Sequence, residues 1–173
     1  MHNPLCFIKK LKSIVLIKDF EILKNGPINK YYKNSVLDLD VNWFIENRFD
    51  VYDINVKNWN KKNFHKELKS NLNFPDYYGE NLNAFNDCLG DMNIPRYKGV
   101  VLVFRQYDEF INNARQSAEA ILDIIAQESR VWLLNGQKLI ALIQSNDPNL
   151  ELPKLGGINP IWNSAEWFND DRV

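Results

Sequence analysis

Asp76, Glu80, Asp87 and Asp91 lie in a stretch, bounded by Lys69 and Arg96, that contains no lysine or arginine. Carboxylates so placed have two chemical uses, acid/base catalysis or electrostatic capture of a cation. Laid out at 100° per residue from Glu80 to Met92, the segment predicts a two-sided helix. Leu82, Phe85, Leu89 and Met92 share one side, with Ala84 and Cys88 beside them, and form the stripe expected to pack on a core. Glu80, Asn83, Asn86, Asp87, Gly90 and Asp91 occupy the other side. Glu80 in the first turn is favoured by the helix dipole, whereas Asp91 near the last turn is disfavoured, so its placement gains the isolated helix nothing. The acids stand on a convex face with no evident cleft, which argues for docking rather than acid/base work. Tyr77-Tyr78-Gly79 immediately precedes them. Aromatic anchors beside charges are the mixture found at interface hot spots, and a one-signed patch suits a cationic partner. The plain alternative is a solvated charged face.

Other chemistries find less support. A cysteine nucleophile needs a neighbouring base, and the internal histidine, His65, lies on the preceding helix with no motif around it. Cys88 falls among apolar neighbours and reads as a small core residue. There is no Cys-x-x-Cys, no His-x-x-x-His and no Asp-rich calcium loop. Gly156-Gly157 lacks the strand-to-helix context of a phosphate loop and reads as a bend. The expectation is a non-enzyme without metal or cofactor.

The elements that must position the acidic face are legible downstream of about Arg48. Phe49 to Val56 alternates as a first strand. Lys61 to Leu72 repeats Phe64, Leu68 and Leu72 at helical spacing, and Pro75 forbids its simple continuation. Val100 to Phe104 is a continuous apolar run, the pattern of a strand buried on both faces in a parallel sheet. Asn113 to Leu134 reads as a long helix stopped by Gly136, and Lys138 to Gln144 as a third strand. This order implies right-handed crossovers and an α/β fold, a small three-stranded parallel sheet packed with helices. Residues 48–145 form that domain. Residues 1–47 are an N-terminal extension, either an added edge of the domain or a partner-specific arm. Within it Ser13 to Leu23 suggests a strand, Asn25-Gly26-Pro27 a turn, and Asp40 the N-cap of a short helix through Asn47. Residues 146–173 read as an irregular tail packed back through Trp162 and Trp167.

With 173 residues, 45% of them hydrophobic, the chain has enough material for one sizeable core. A net charge of −1 gives no basic footprint, so direct nucleic-acid binding is not expected. Neither a signal peptide nor an apolar run of about 20 residues is visible, so a cytoplasmic protein away from membranes is expected, with Cys6 and Cys88 as free thiols rather than a disulfide.

Pro75-Asp-Tyr-Tyr-Gly-Glu-Asn-Leu82, followed by Ala84, Asp87-Cys-Leu89 and the Val103 to Asp108 segment centred on Arg105-Gln106, resembles the barstar family. These are small intracellular proteins that inhibit, or confer immunity to, ribonucleases. The resemblance runs from about Arg48 to Ser145. It implies a three-stranded barstar-like sheet and a helix whose carboxylates stand in for RNA phosphates. Carried over, Asp87 matches the family's central carboxylate and Tyr77 its contacting tyrosine. Where the best-known member has a second aspartate, a tryptophan and a threonine, this chain has Asn83, Asn86 and Gly90. Asparagine keeps hydrogen-bonding capacity but removes charge, and the lost tryptophan removes a large aromatic contact. The family's later acidic position aligns with Gln127, with Glu128 next to it, and the choice between these two is open. The resemblance therefore implies a partner-binding set of Tyr77, Glu80, Asn83, Asn86, Asp87, Gly90 and Asp91, and a monomer when free. Its partner would be a basic ribonuclease or another nuclease toxin. The alternative is a regulatory or assembly module of the same fold that binds a non-nuclease protein.

Overall fold

The computed structural model describes residues 18–92 and 99–172. Its centre is set by two strands that are apolar on both faces, Gly99–Arg105 (β3) and Lys138–Gln144 (β4), paired in parallel from Gly99 opposite Lys138 to Phe104 opposite Ile143. A Cβ on Gly99 would lie 2.1 Å from the Lys138 carbonyl oxygen, so the strand opens at a point where no side chain fits. Asp50–Asn55 (β2) pairs with the far side of β3, and Ile28–Tyr31 (β1) with the far side of β4. Ile161–Trp162 (β5) closes the edge beyond β1. All neighbours are parallel in the order β2-β3-β4-β1-β5.

The parallel α/β architecture agrees with the sequence, but the sheet has five strands rather than three. Both added strands come from segments that lack strand periodicity. β1 is four residues long, and β5 is two residues inside a stretch read as irregular.

Two helical layers cover the sheet. On one face lie Phe64–Leu72 (α3), Leu82–Gly90 (α4) and Tyr107–Leu134 (α5), packed on Val100, Leu102, Phe104, Leu139, Ala141 and Ile143. On the other, Lys18–Lys24 (α1) and Asn34–Glu46 (α2) place Ile22, Leu37, Val41 and Phe44 on Val101, Val103, Ile140 and Leu142. Period-two alternation along β3 and β4 produces this division.

Several expectations for the ends are corrected. The described part of the predicted Ser13–Leu23 strand is the helix α1, and residues 13–17 lie outside the described residues, as does Cys6. Asp40 caps nothing: it is buried inside α2, where its carboxylate accepts from the Tyr31 hydroxyl at 2.8 Å and Asn163 Nδ2 at 3.1 Å and pairs with Lys18. α5 begins at Tyr107 rather than Asn113, with a break at Ala114 (φ −158°, ψ 58°) that conceals its first turns from a periodicity reading. It ends as expected, with Gly136 at φ 73° just past its last turn.

The tail is held by specific bonds. Glu166 accepts from the backbone N–H groups of Tyr32 (2.9 Å) and Lys33 (2.6 Å), and buried Arg172 donates to the carbonyls of Pro148 (2.9 Å) and Glu166 (2.7 Å). Trp162 lies between two cations, with Lys30 at 4.7 Å and Arg172 at 4.5 Å from its ring centroid. Trp167, expected to help dock the tail, is 54% exposed. Across the sheet, Arg105 forks onto Asp53 at 2.8 and 2.7 Å and reaches Asp38 (2.7 Å) and Asn34 (2.8 Å), tying β3 and β2 to α2.

Candidate functional site: the outer face of α4

The site begins where α3 ends. Asn73 adopts the left-handed conformation (φ 54°) as the C-cap of α3 and turns the chain, after which Phe74 and Tyr78 are buried with ring centroids 5.1 Å apart. The Tyr78 hydroxyl and His65 Nδ1 are hydrogen-bonded at 2.6 Å. Burial, and secondarily the charges at Cys88 and Glu80, push the Tyr78 hydroxyl well above its ordinary pKa. Burial holds His65 below its ordinary value against the opposing charge of Glu80. Tyr78 is thus the internal anchor of the turn, and its neighbour Tyr77 is turned out, 75% exposed.

Glu80 takes a left-handed backbone (φ 49°), and Asn81 caps α4 by accepting from the Ala84 N–H at 2.9 Å. Glu80 therefore precedes the helix instead of lying in its first turn. α4 seats Phe85, Cys88 and Leu89 in the core; burying each large side chain contributes about 1.5–3 kcal/mol. Burial, then the charges of Asp91 and Asp87, raise the Cys88 thiol, which makes it a poor nucleophile.

With that stripe seated, Asn83, Asp87, Gly90 and Asp91 are exposed and Asn86 is half-buried. Two hollows flank the helix. One, of about 260 Å³, is lined by Tyr77, Asp91, Tyr52, Phe74 and Met92, a recess that the convex face of a lone helix did not suggest. The other places Glu80 and Asn83 beside His65 and Lys61. Tyr77, Asn83, Asn86, Asp87, Gly90 and Asp91 thus form one surface, with Glu80 at its margin near a lysine.

On α5, Gln127 and Glu128 have different surroundings. Gln127 Nε2 donates to Asp123 Oδ2 at 2.6 Å. Glu128 lies against α4: a Cβ built on Gly90 would be 3.3 Å from Glu128 Oε2. Burial, and secondarily the charge of Asp87, raise the Glu128 carboxyl above its ordinary pKa. A sequence signal existed for this. Glu128 follows buried Ile121 by seven residues and half-buried Ile124 by four, in line with the inward side of the helix.

The arrangement brings carboxylates and amides to an outer face. Among the described residues no three His, Cys, Asp or Glu side chains are grouped to hold a metal ion, and no helix is long and apolar enough to cross a membrane.

The chain is thus a parallel α/β protein that carries an exposed carboxylate helix after a Tyr-Tyr-Gly turn. Residues 50–144 match the sequence model of the family described as Barstar (barnase inhibitor), and the chain belongs to that family. It is similar to the Bacillus subtilis (strain 168) protein named "Putative ribonuclease inhibitor YrdF", at 41% identity over 78 residues, 44% of this chain and 79% of that protein. Among solved structures it is similar to a chain in "Structure of Drosophila ORC bound to AT-rich DNA and Cdc6", with a TM-score of 0.53 and 16% identity over 91% of this chain. This chain spans 55% of that one, and the likeness is one of fold alone.

Proposed function

We propose that the protein is an inhibitor or immunity protein that binds a ribonuclease, or a related nuclease toxin, and covers its basic active site with the outer face of α4. The observation that carries this reading is Asp87, exposed at the middle of the helix face and engaged in no ion pair among the described residues; by the sequence resemblance it would take the part of the family's central carboxylate. An acid held ready and unpaired on a rigid helix costs the partner's cation little reorganisation on docking. Tyr77 supplies the aromatic contact, Glu80 and Asp91 flanking charge, and Asn83, Asn86 and Gly90 a polar, low-relief remainder.

Asn83 and Asn86 favour a second reading, a barstar-fold module that binds a non-nuclease protein, because they remove a charge and an aromatic contact from this face. One experiment separates the two. The purified chain is titrated into RNA-cleavage assays with barnase and with any secreted nuclease encoded beside its gene, and association is followed by stopped flow across ionic strength. Stoichiometric inhibition with an on-rate that falls as salt rises supports the nuclease reading, since added ions shorten the reach of the acidic field to about 10 Å at 0.1 M. No inhibition, or a flat on-rate, supports the other.

A further inference from the structure

The sheet ends on one side in the two-residue strand β5 and on the other in β2, which is six residues long. Among the described residues the strand partner of β2 is β3 alone. The Val56 N–H donates to the Arg105 carbonyl at 3.0 Å, and in this register the backbone groups of Tyr52 and Ile54 turn toward β3 while those of Val51, Asp53 and Asn55 turn outward. No described residue bonds these outward N–H groups. Natural edges are blunted by lysine, proline, a bulge or a covering element. The Asp-Val-Tyr-Asp-Ile-Asn strand has no lysine and no proline, and it runs against β3 residue for residue without a bulge.

Beside this edge, on the α1–α2 side of the sheet, Val41, Ile45, Phe49 and Val51 line a hollow of about 450 Å³, with Ile45 55% exposed. On the opposite side the period of two brings Asp50 and Tyr52 together, both half-buried. Burial, and secondarily the Asp50 charge, raise the Tyr52 hydroxyl above its ordinary pKa. Asp50 has no ion pair among the described residues, and Arg105 is shared between Asp53 and Asp38, so the edge keeps a net negative charge. We infer that β2 is a strand-addition site for an extended segment of a partner protein in which apolar side chains alternate with lysine or arginine. The main chain of that segment meets the outward groups of Val51, Asp53 and Asn55, its apolar side chains fall into the hollow beside Ile45, and its cations lie over Asp50 and the Tyr52 ring. A second copy of this chain is the poorer occupant, because it brings the same two acids to the seam, where opposed like charges are destabilising. The outer face of α4 takes no part, so the site stands apart from the nuclease reading.

The test titrates the full-length, 15N-labelled chain with an end-blocked Val-Lys-Val-Lys-Val-Lys peptide and follows amide shifts and amide exchange by NMR. Two control peptides accompany it: one with every backbone nitrogen methylated, which keeps side chains and charge but has no N–H to donate, and one with glutamate in place of lysine. Val51→Pro removes an outward N–H that the sheet does not use, and Asp50→Lys reverses the edge charge without touching the backbone. Expected are slowed exchange at Val51, Asp53 and Asn55 on adding the lysine peptide, and binding weaker by about tenfold or more for either control peptide and for either variant. Asp50→Lys should melt with wild type, and Asp87→Ala should bind the peptide as wild type does. A methylated peptide that binds equally, or protection that falls elsewhere, overturns strand addition. Equal binding of the glutamate peptide overturns the cationic partner. If the lysine peptide does not bind at concentrations of about 1 mM, the edge is no docking site. If the free chain instead dimerises with protection of the same three amides, the occupant is a second copy and the proposed partner is overturned.

Discussion

Removing residues 1–47 should abolish folding of the remainder, even though the family match begins only at residue 50. The cost follows from what α1, β1 and α2 cover. Val101, Val103, Ile140 and Leu142 are each fully buried on that face of the sheet. Re-exposing an aliphatic side chain of this size costs about 1.5–3 kcal/mol, so the four together lose about 6–12 kcal/mol. A compact denatured chain lowers such figures by roughly 10–40%, yet the loss still matches the whole stability of a typical domain, about 5–15 kcal/mol. β4 would also lose its parallel partner from Ile28 to Tyr31, and Arg105 its bonds to Asp38 and Asn34. Circular dichroism and thermal melting of residues 48–173 against the full chain provide the assay. The expected product is insoluble, or melts without a cooperative transition. A truncated chain that melts sharply within a few degrees of the full protein would refute the reasoning and make residues 1–47 a dispensable arm.

Asp87→Ala should leave the melting temperature at or above that of wild type and weaken nuclease binding by about 2–5 kcal/mol, roughly thirtyfold or more, by calorimetry. Asn83→Asp with Asn86→Trp should raise affinity for barnase at the expense of the natural partner, because bulk and charge that suit one site clash with another. Wild type that inhibits barnase as strongly as the double variant would show these asparagines to be neutral. His65 Nδ1 is hydrogen-bonded with the Tyr78 hydroxyl, and burial lowers the folded pKa of His65 below the unfolded value near 6.5, so the unfolded chain binds more protons in that window. Stability should therefore fall as pH drops from about 6.5 through the folded pKa, and urea midpoints at pH 7.5 and 5 should differ less for His65→Gln than for wild type.

What could be read without coordinates was whatever the chain repeats locally. The apolar periodicity of α4, the unbroken run of β3 and the Tyr77-Tyr78-Gly79 turn each carry a local signal, so α4 and the residues on its outer side were legible. The first turns of α5 were hidden by the break at Ala114, and β1 by its four-residue length, too short for alternation to register. β5 is specified by the partners its backbone meets on β1, which no local pattern announces. Glu80 was misplaced into the helix because its left-handed backbone is uncommon for glutamate and Asn81, not Glu80, supplies the cap. That Glu128 lies against α4 while Gln127 bonds Asp123 depends on the register of one helix on another, a tertiary quantity.

The even-odd division of the two central strands has a bearing on how such a protein can change. Val100, Leu102 and Phe104 support the layer that holds α4, whereas Val101 and Val103 answer to α1 and α2. A drifting population can therefore rebuild the α1–α2 layer, lengthen its loops or exchange its aromatics while the recognition helix keeps its seat. Conversely, the outer face of α4 can be rewritten without renegotiating the opposite layer. The sheet keeps the two layers apart, and random libraries confined to Val101 and Val103 of β3 should alter expression yield long before they alter what the outer face of α4 binds.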